Sequence, residues 1–171
     1  MINISGLALG ISISLLIGLW INDELQFNKH FTNYHRIGRL VRNITVNNEI
    51  LSRTYLPNTI GDALRSQYKD LFLRVSMAYP IEDYFITVGE KKLTLRGEFL
   101  EPEGVALFDL KMVHGQLNNM TDSHSIFLSE SVSIALFGNE NPVGKQLSIN
   151  NSMDATVTGV YEDMPASTML F

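Results

Sequence analysis

A chain of 171 residues, 45% of them hydrophobic, can bury a substantial core. Its net charge of −5 argues against nucleic acid as a partner, and no polybasic cluster marks an anionic lipid surface. With no cysteine, the chain has no disulfide, no thiol nucleophile and no Cys-ligated metal centre.

Residues 1–22 carry no charge and are mostly Ile, Leu, Ala and Gly. A helix needs roughly 20 apolar residues to cross a hydrocarbon core of about 30 Å, so this run predicts a transmembrane helix. Trp20 stands at its far end, where an indole favours the membrane–water interface, and Asp23 and Glu24 end it. Gly6, Gly10, Ser14 and Gly18 recur every fourth residue, which places them on one face. Small residues there let a second helix approach closely, so the expectation is a packing stripe. A cleaved signal peptide would need a basic start, a shorter core and a small-x-small cleavage site, none of which is visible. The same missing basic flank makes a start inside a longer chain the expectation.

Residues 23–38 follow without a Pro or Gly break until Gly38. Trp20, Phe27, Phe31 and Tyr34 fall at helical spacings. The expectation is an amphipathic stalk that continues the membrane helix and packs its aromatics on the next domain; an interfacial helix lying flat is the alternative. From Leu40 the period becomes two. Strands are expected over 40–46 and 50–55, joined by an Asn47-Asn48 turn, because Asn tolerates positive φ. A helix opens at Pro57-Asn58, with Ile60, Leu64 and Tyr68 as a stripe that should lie on a sheet. Residues 71–77 read as a buried strand broken by Pro80. Tyr84, Ile86 and Val88 alternate, and a turn at 89–92 leads to Leu93 and Leu95 in a hairpin. Residues 101–104 read as a polar connection, 105–110 as one helical turn or a strand, and 115–122 as loop. Residues 125–128 form a strand. Ser129 is placed to cap a helix through Phe137, and Gly138 to end it. Strands over 146–149 and 155–161 flank an Asn150-Asn151 turn. The fold class is α+β, with hairpins and a few helices on sheet faces.

No catalytic constellation emerges. His30 and His35 are five apart and turn to different sides of a helix, and His114 and His124 add no ligand spacing. Glu98, Glu101 and Glu103, and the pair Glu162 and Asp163, read as solvated loop charges, since paired carboxylates need a cleft to split their pKa values. Gly138 to Lys145 contains a Gly-Lys pair, but its spacing, Gln146 in place of Ser or Thr, and its position after a helix do not fit a phosphate loop. Ser129 and Ser131 lie in no nucleophile elbow. The residues call for no metal and no cofactor.

Asn3-Ile4-Ser5-Gly6-Leu7-Ala8-Leu9-Gly10-Ile11, then Asp23-Glu24-Leu25 and Phe27, resembles the first membrane helix of FtsX/MacB-type ABC transporter permeases, Bacteroidetes members in particular. Phe31, Arg36-Ile37 and Arg39-Leu40 match the start of their periplasmic core domain, with Gly38 where an aromatic is usual. Further blocks are Ile126-Phe127-Leu128-Ser129-Glu130, Leu136-Phe137-Gly138, Pro142-Val143-Gly144-Lys145, and Val157-Thr158-Gly159-Val160 with Asp163 and Pro165. The resemblance implies a transmembrane helix over 1–22, a stalk over 23–38, and a periplasmic core domain over 39–171, truncated at its C-terminal side. It implies a permease subunit in the bacterial inner membrane, its soluble part in the periplasm, dimerising with a second permease subunit. A separate cytoplasmic ABC ATPase would hydrolyse ATP, and the periplasmic domain would couple that hydrolysis to efflux or mechanotransmission. A membrane-anchored sensor or ligand-binding domain is the alternative reading of the same helix and α+β domain.

Overall fold

The computed structural model describes residues 4–121, 123–165 and 168. An apolar helix, α1 (Ile4–Gln26), precedes an α+β domain. It stops at Gln26 instead of continuing as a stalk. Asp23 and Glu24 occupy its last turn, where the helix dipole favours cations, and Asn28 takes a left-handed φ of 60°. Tight turns follow, with Lys29 N–H donating to Gln26 O and Phe31 N–H to Asn28 O, and then one 3₁₀ turn at Tyr34–Arg36.

β1 (Arg42–Val46) and β2 (Glu49–Arg53) form a separate two-stranded sheet, closed by Asn47 and Asn48 at φ 52° and 66°. α2 (Thr59–Gln67) packs through Gly61. A Cβ there would come within 2.8 Å of Met77 Cγ, in the segment leading to the main sheet. That segment is not the buried strand expected at 71–77. Leu71 and Leu73 are 75% and 86% exposed, and only Ala78 pairs, in an isolated bridge with Leu100.

The main sheet contains β3 (Glu82–Val88), β4 (Lys91–Gly97), β5 (Met112–Gly115), β6 (Ser125–Ser129), β7 (Gln146–Ile149) and β8 (Met153–Tyr161). β3 and β4 are an antiparallel hairpin, and β3 continues to β7 and β7 to β8. The nine-residue β8 organises the rest: β7 and then β5 pair with it antiparallel, and β6 runs parallel to it. Gly115, at φ +75°, marks where β5 crosses closest, since a Cβ would lie 2.5 Å from Thr158 O. β5 lies almost wholly in 111–114, for which the spacing predicts no element, and the 3₁₀ turn Leu117–Asn119 stands where it predicts loop.

α3 (Pro102–Phe108) begins inside the stretch expected to be a polar connection. Pro102 suits the first turn, where its missing N–H has no helical partner. α4 (Glu130–Phe137) lies against the core of Ile86, Leu128, Leu147, Ile149, Ala155 and Val157 through Leu136. Its C-terminal carbonyls at Ala135 and Leu136 accept from Lys91 Nζ, a cation placed at the negative end of the helix. Its N-terminus corrects the expected Ser129 cap. Ser129 makes no side-chain cap bond; Asp163 reaches across from beyond β8 and accepts from Ser131 N–H at 3.2 Å and Ser131 Oγ at 2.8 Å. Burial pushes the Asp163 carboxyl up, but these bonds, with one from Ser129, outweigh it and leave its pKa lowered.

Candidate functional site: the membrane helix and its seat on the domain

α1 is long and apolar enough to cross a membrane, and none of it is buried by the chain itself. Gly6, Gly10, Ser14 and Gly18 all lie within it, four apart. A Cβ on Gly10 or Gly18 would meet nothing within 4 Å, so the described chain leaves this face open. Ser14 Oγ donates to Gly10 O at 2.9 Å and Ser12 Oγ to Ala8 O at 2.8 Å. Both hydroxyls are thus satisfied within the helix, as an apolar surrounding demands.

The expected aromatic stripe packs at one position only. Phe31 is 6% exposed and meets Phe108, at the end of α3, with ring centroids 5.2 Å apart. Trp20, Phe27 and Tyr34 remain exposed. The break at Asn28 explains this: once the helix ends, helical spacing no longer aligns Phe27 and Tyr34 with Phe31. Thr32 Oγ1 lies 3.5 Å from Asp109 Oδ2, next to the same contact. His30 packs tilted against Phe31, ring centroids 4.0 Å apart; burial, then the charge of Lys111, lower its pKa.

α3 therefore receives the chain leaving α1 at its C-terminal end. Its N-terminal end holds α2. Arg65, on α2, donates through Nη1 to Glu101 Oε2 at 2.8 Å and to Val75 O at 3.1 Å. Arg65 Nη2 also donates to Asp62 Oδ1 at 2.9 Å. Glu101 Oε2 accepts from Met77 N–H at 2.8 Å, and Glu101 N–H donates to Met77 O at 3.1 Å. Between the two ends, Val105 is 2% exposed and anchors α3. Gly104 allows the close seat, since a Cβ would lie 2.5 Å from Leu100 Cγ and 2.6 Å from Ser76 Oγ.

Glu101 and Glu98 correct the expectation of solvated loop charges. Glu101 is the paired acid just described, and Glu98 has one oxygen sealed from solvent. Glu103 and Glu162 are exposed, as expected. Lys145, of the Gly-Lys pair, is taken by Glu140 and sits 5.4 Å over the Phe137 ring. Among the described residues, no three His, Asp or Glu side chains are grouped to hold a metal. The spacing of the chain does not reveal Arg65 and Phe108, because their partners are 36 and 77 residues away; the only local trace is Asp62, one turn before Arg65.

The hydrogen bond from Arg65 holds the Glu101 carboxyl below its usual range; desolvation opposes this, and the Met77 N–H adds to the lowering. A pKa lower in the folded state means that the unfolded chain binds more protons as pH falls. The stabilisation is therefore present above the ordinary Glu range and lost as pH drops through the folded value. Glu101→Gln is expected to cost about 1–3 kcal/mol at neutral pH, at the low end because both side chains are 35% exposed. The difference from the unmodified chain should shrink on acidification. Thermal unfolding between neutral and acid pH checks this; a constant difference at all pH values would refute it.

These features define an α+β domain joined to one apolar helix. The family model of the MacB-like periplasmic core domain matches residues 1–171, and the chain belongs to that family. Among solved structures, it is similar to the periplasmic region of MacB from Actinobacillus actinomycetemcomitans, at 24% identity and TM-score 0.53, over 64% of this chain and 51% of that one. A domain of a putative permease protein from Porphyromonas gingivalis gives 20% identity and TM-score 0.50, over 62% and 50%. The extracellular domain of the noncanonic ABC-type transporter YknZ from Gram-positive bacteria gives 15% and 0.53, over 63% and 58%. At these identities the likeness is one of fold. The chain spans about half the length of these solved domains. Comparison with curated proteins gave no match.

Proposed function

We propose that this chain is the N-terminal part of a permease subunit, held by α1 in the bacterial inner membrane with residues 39–171 in the periplasm. Residues 1–22 span the bilayer, and 23–38 lead into the core domain. A separate cytoplasmic ABC ATPase supplies the energy, a second permease subunit completes a dimer, and the domain couples ATP hydrolysis to efflux or mechanotransmission. The family match over residues 1–171 carries the reading. The route of coupling is supported by the buried contact of Phe31 with Phe108, which ties the chain emerging from α1 to α3. Movement of α1 then reaches α2 through α3 and the Glu101–Arg65 pair.

The Gly6, Gly10, Ser14, Gly18 face is the proposed contact with another membrane helix of the assembly. The test is affinity purification of the tagged permease, expressed from its own gene, out of detergent-solubilised inner membranes. An ABC ATPase and a second permease copy are expected to co-purify, and Gly10→Leu with Ser14→Leu is expected to reduce recovery of the complex severalfold. Purification with no ATPase would overturn the permease reading; unchanged recovery of the double variant would overturn only the packing face. The membrane-anchored ligand-binding domain stays as a second reading because a cavity of about 760 Å³ opens on the main sheet.

A further inference from the structure

The β1–β2 hairpin is a sheet of its own, and its register sets Arg42 directly opposite Arg53. Opposed residues of an antiparallel pair share a face, with Cβ atoms about 4.5–5.5 Å apart, and like charges there destabilise the pair. Both arginines are exposed, and among the described residues neither makes an ion pair or a side-chain hydrogen bond. The next pair on that face is Ile44 with Leu51, and then Val46 with Glu49. Glu49 does not relieve the arginines: four residues along a strand is about 13 Å, beyond the ~8–10 Å that salt leaves coupled between exposed charges. An isolated two-stranded hairpin is only marginally stable, so an anion from outside would remove a cost it can ill carry.

The place of the hairpin in the chain selects the anion. Only residues 27–41 separate α1 from β1. Much of that link is wound into turns, with the N–H groups of Lys29, Phe31, Tyr34, Arg36 and Ile37 each donating three residues back. Each turn brings its ends within about 7 Å, so the link is far shorter than its extended length. It exposes Lys29, Arg36 and Tyr34, and no acid occurs between Glu24 and Glu49. Cations and amphipathic aromatics beside an apolar helix suit the headgroup layer of a bilayer. Spread through the sequence, these cations form no basic run; strand pairing is what sets two of them side by side. Asp23 and Glu24 precede the stretch, in the last turn of α1, and the charge of Arg39 acts on Glu98. The attraction is therefore assigned to Arg42 and Arg53 and not to the segment as a whole.

We propose that the β1–β2 hairpin lies against the bilayer that α1 crosses, with Arg42 and Arg53 sharing the phosphate of an anionic phospholipid. Guanidinium groups hold phosphate through paired, charge-assisted hydrogen bonds. Ile44 and Leu51, next along the same face, meet the apolar edge of the headgroup layer. The proposal rests on α1 standing in a membrane and is independent of any ATPase.

The test reconstitutes the whole chain into nanodiscs of phosphatidylcholine, alone or mixed with phosphatidylglycerol, and follows amide exchange in residues 42–53. Exchange is expected to be about tenfold slower in the anionic discs, and molar salt should erase the difference. Arg42→Gln with Arg53→Gln should abolish the slowing, whereas Arg42→Lys with Arg53→Lys should keep part of it, since the charge remains. In phosphatidylcholine the Gln pair should exchange no faster than the unmodified chain, because a repulsion has been removed. Its lost response to phosphatidylglycerol will therefore not report unfolding. Glycerol phosphate at millimolar concentration should leave exchange in phosphatidylcholine discs unchanged. The same slowing with this free anion would overturn a lipid site. Equal exchange in the two kinds of disc would also overturn it, leaving the arginine pair for an acidic protein. A chain that does not enter discs would overturn the membrane reading of α1, and the proposal with it.

Discussion

Phe31→Ala is expected to destabilise the domain by about 3–5 kcal/mol, the range for removing a buried Phe ring. Phe31 is 6% exposed, and its partner Phe108 closes α3. The neighbouring Thr32–Asp109 contact, at 3.5 Å and exposed, is too weak to hold the junction alone. Residues 27–33 lack regular secondary structure, so no helical hydrogen bonding fixes them once the ring is gone. The loss should therefore concentrate at the junction: amide exchange should accelerate in residues 27–36 and in α3, and much less in β3 and β4. Uniformly faster exchange across the main sheet would refute a local junction. Unchanged exchange throughout would mean that Phe31 carries no load.

Leu136→Ala strikes the core beneath α4 and is expected to cost about 2–5 kcal/mol. Leu136 is 2% exposed and joins α4 to Ile86, Leu128, Leu147, Ile149, Ala155 and Val157. These residues come from four strands, so a void beneath α4 is shared by the whole sheet. Against a total stability of ordinarily about 5–15 kcal/mol, this loss should lower the thermal midpoint sharply and as a single transition. The exposed Ile134, two residues away on the outer side, provides the control, since Ile134→Ala should shift the midpoint little. Similar shifts for both would show that α4 is not seated on the sheet through Leu136.

Local chemistry made much of the fold legible. Asn47-Asn48 and Asn150-Asn151 close hairpins with positive φ at all four residues, and Gly138 ends α4 by donating to Ile134 O at 2.8 Å. Alternation located β3 and β4. Misreadings arose where distant partners decide the backbone. Residues 71–77 are apolar enough for a strand, yet the Val75 carbonyl goes to Arg65 and the Met77 amide to Glu101. β5 has only four residues and exists through its pairing with β8, with Val113 displaced from the register. The stalk failed at one residue, Asn28, whose left-handed φ is allowed by its type but not demanded by it. Of the candidate site, the apolar helix was visible. Its seat on α3 was not, because the contact of Phe31 with Phe108 spans most of the chain.

The pairing of β8 also bears on the order in which the domain is built. β3 and β4 need only each other and a two-residue turn, so this hairpin can form as soon as residue 97 has crossed the membrane. β5, β6 and β7 each find their partner edge in residues 153–161. Until that stretch arrives, β5 and β6 wait as unpaired strands, with Val113, Ile126 and Phe127 available to other chains. Closure over such sequence distances is slow, which makes this the interval when chaperones and proteases of the envelope have their opportunity.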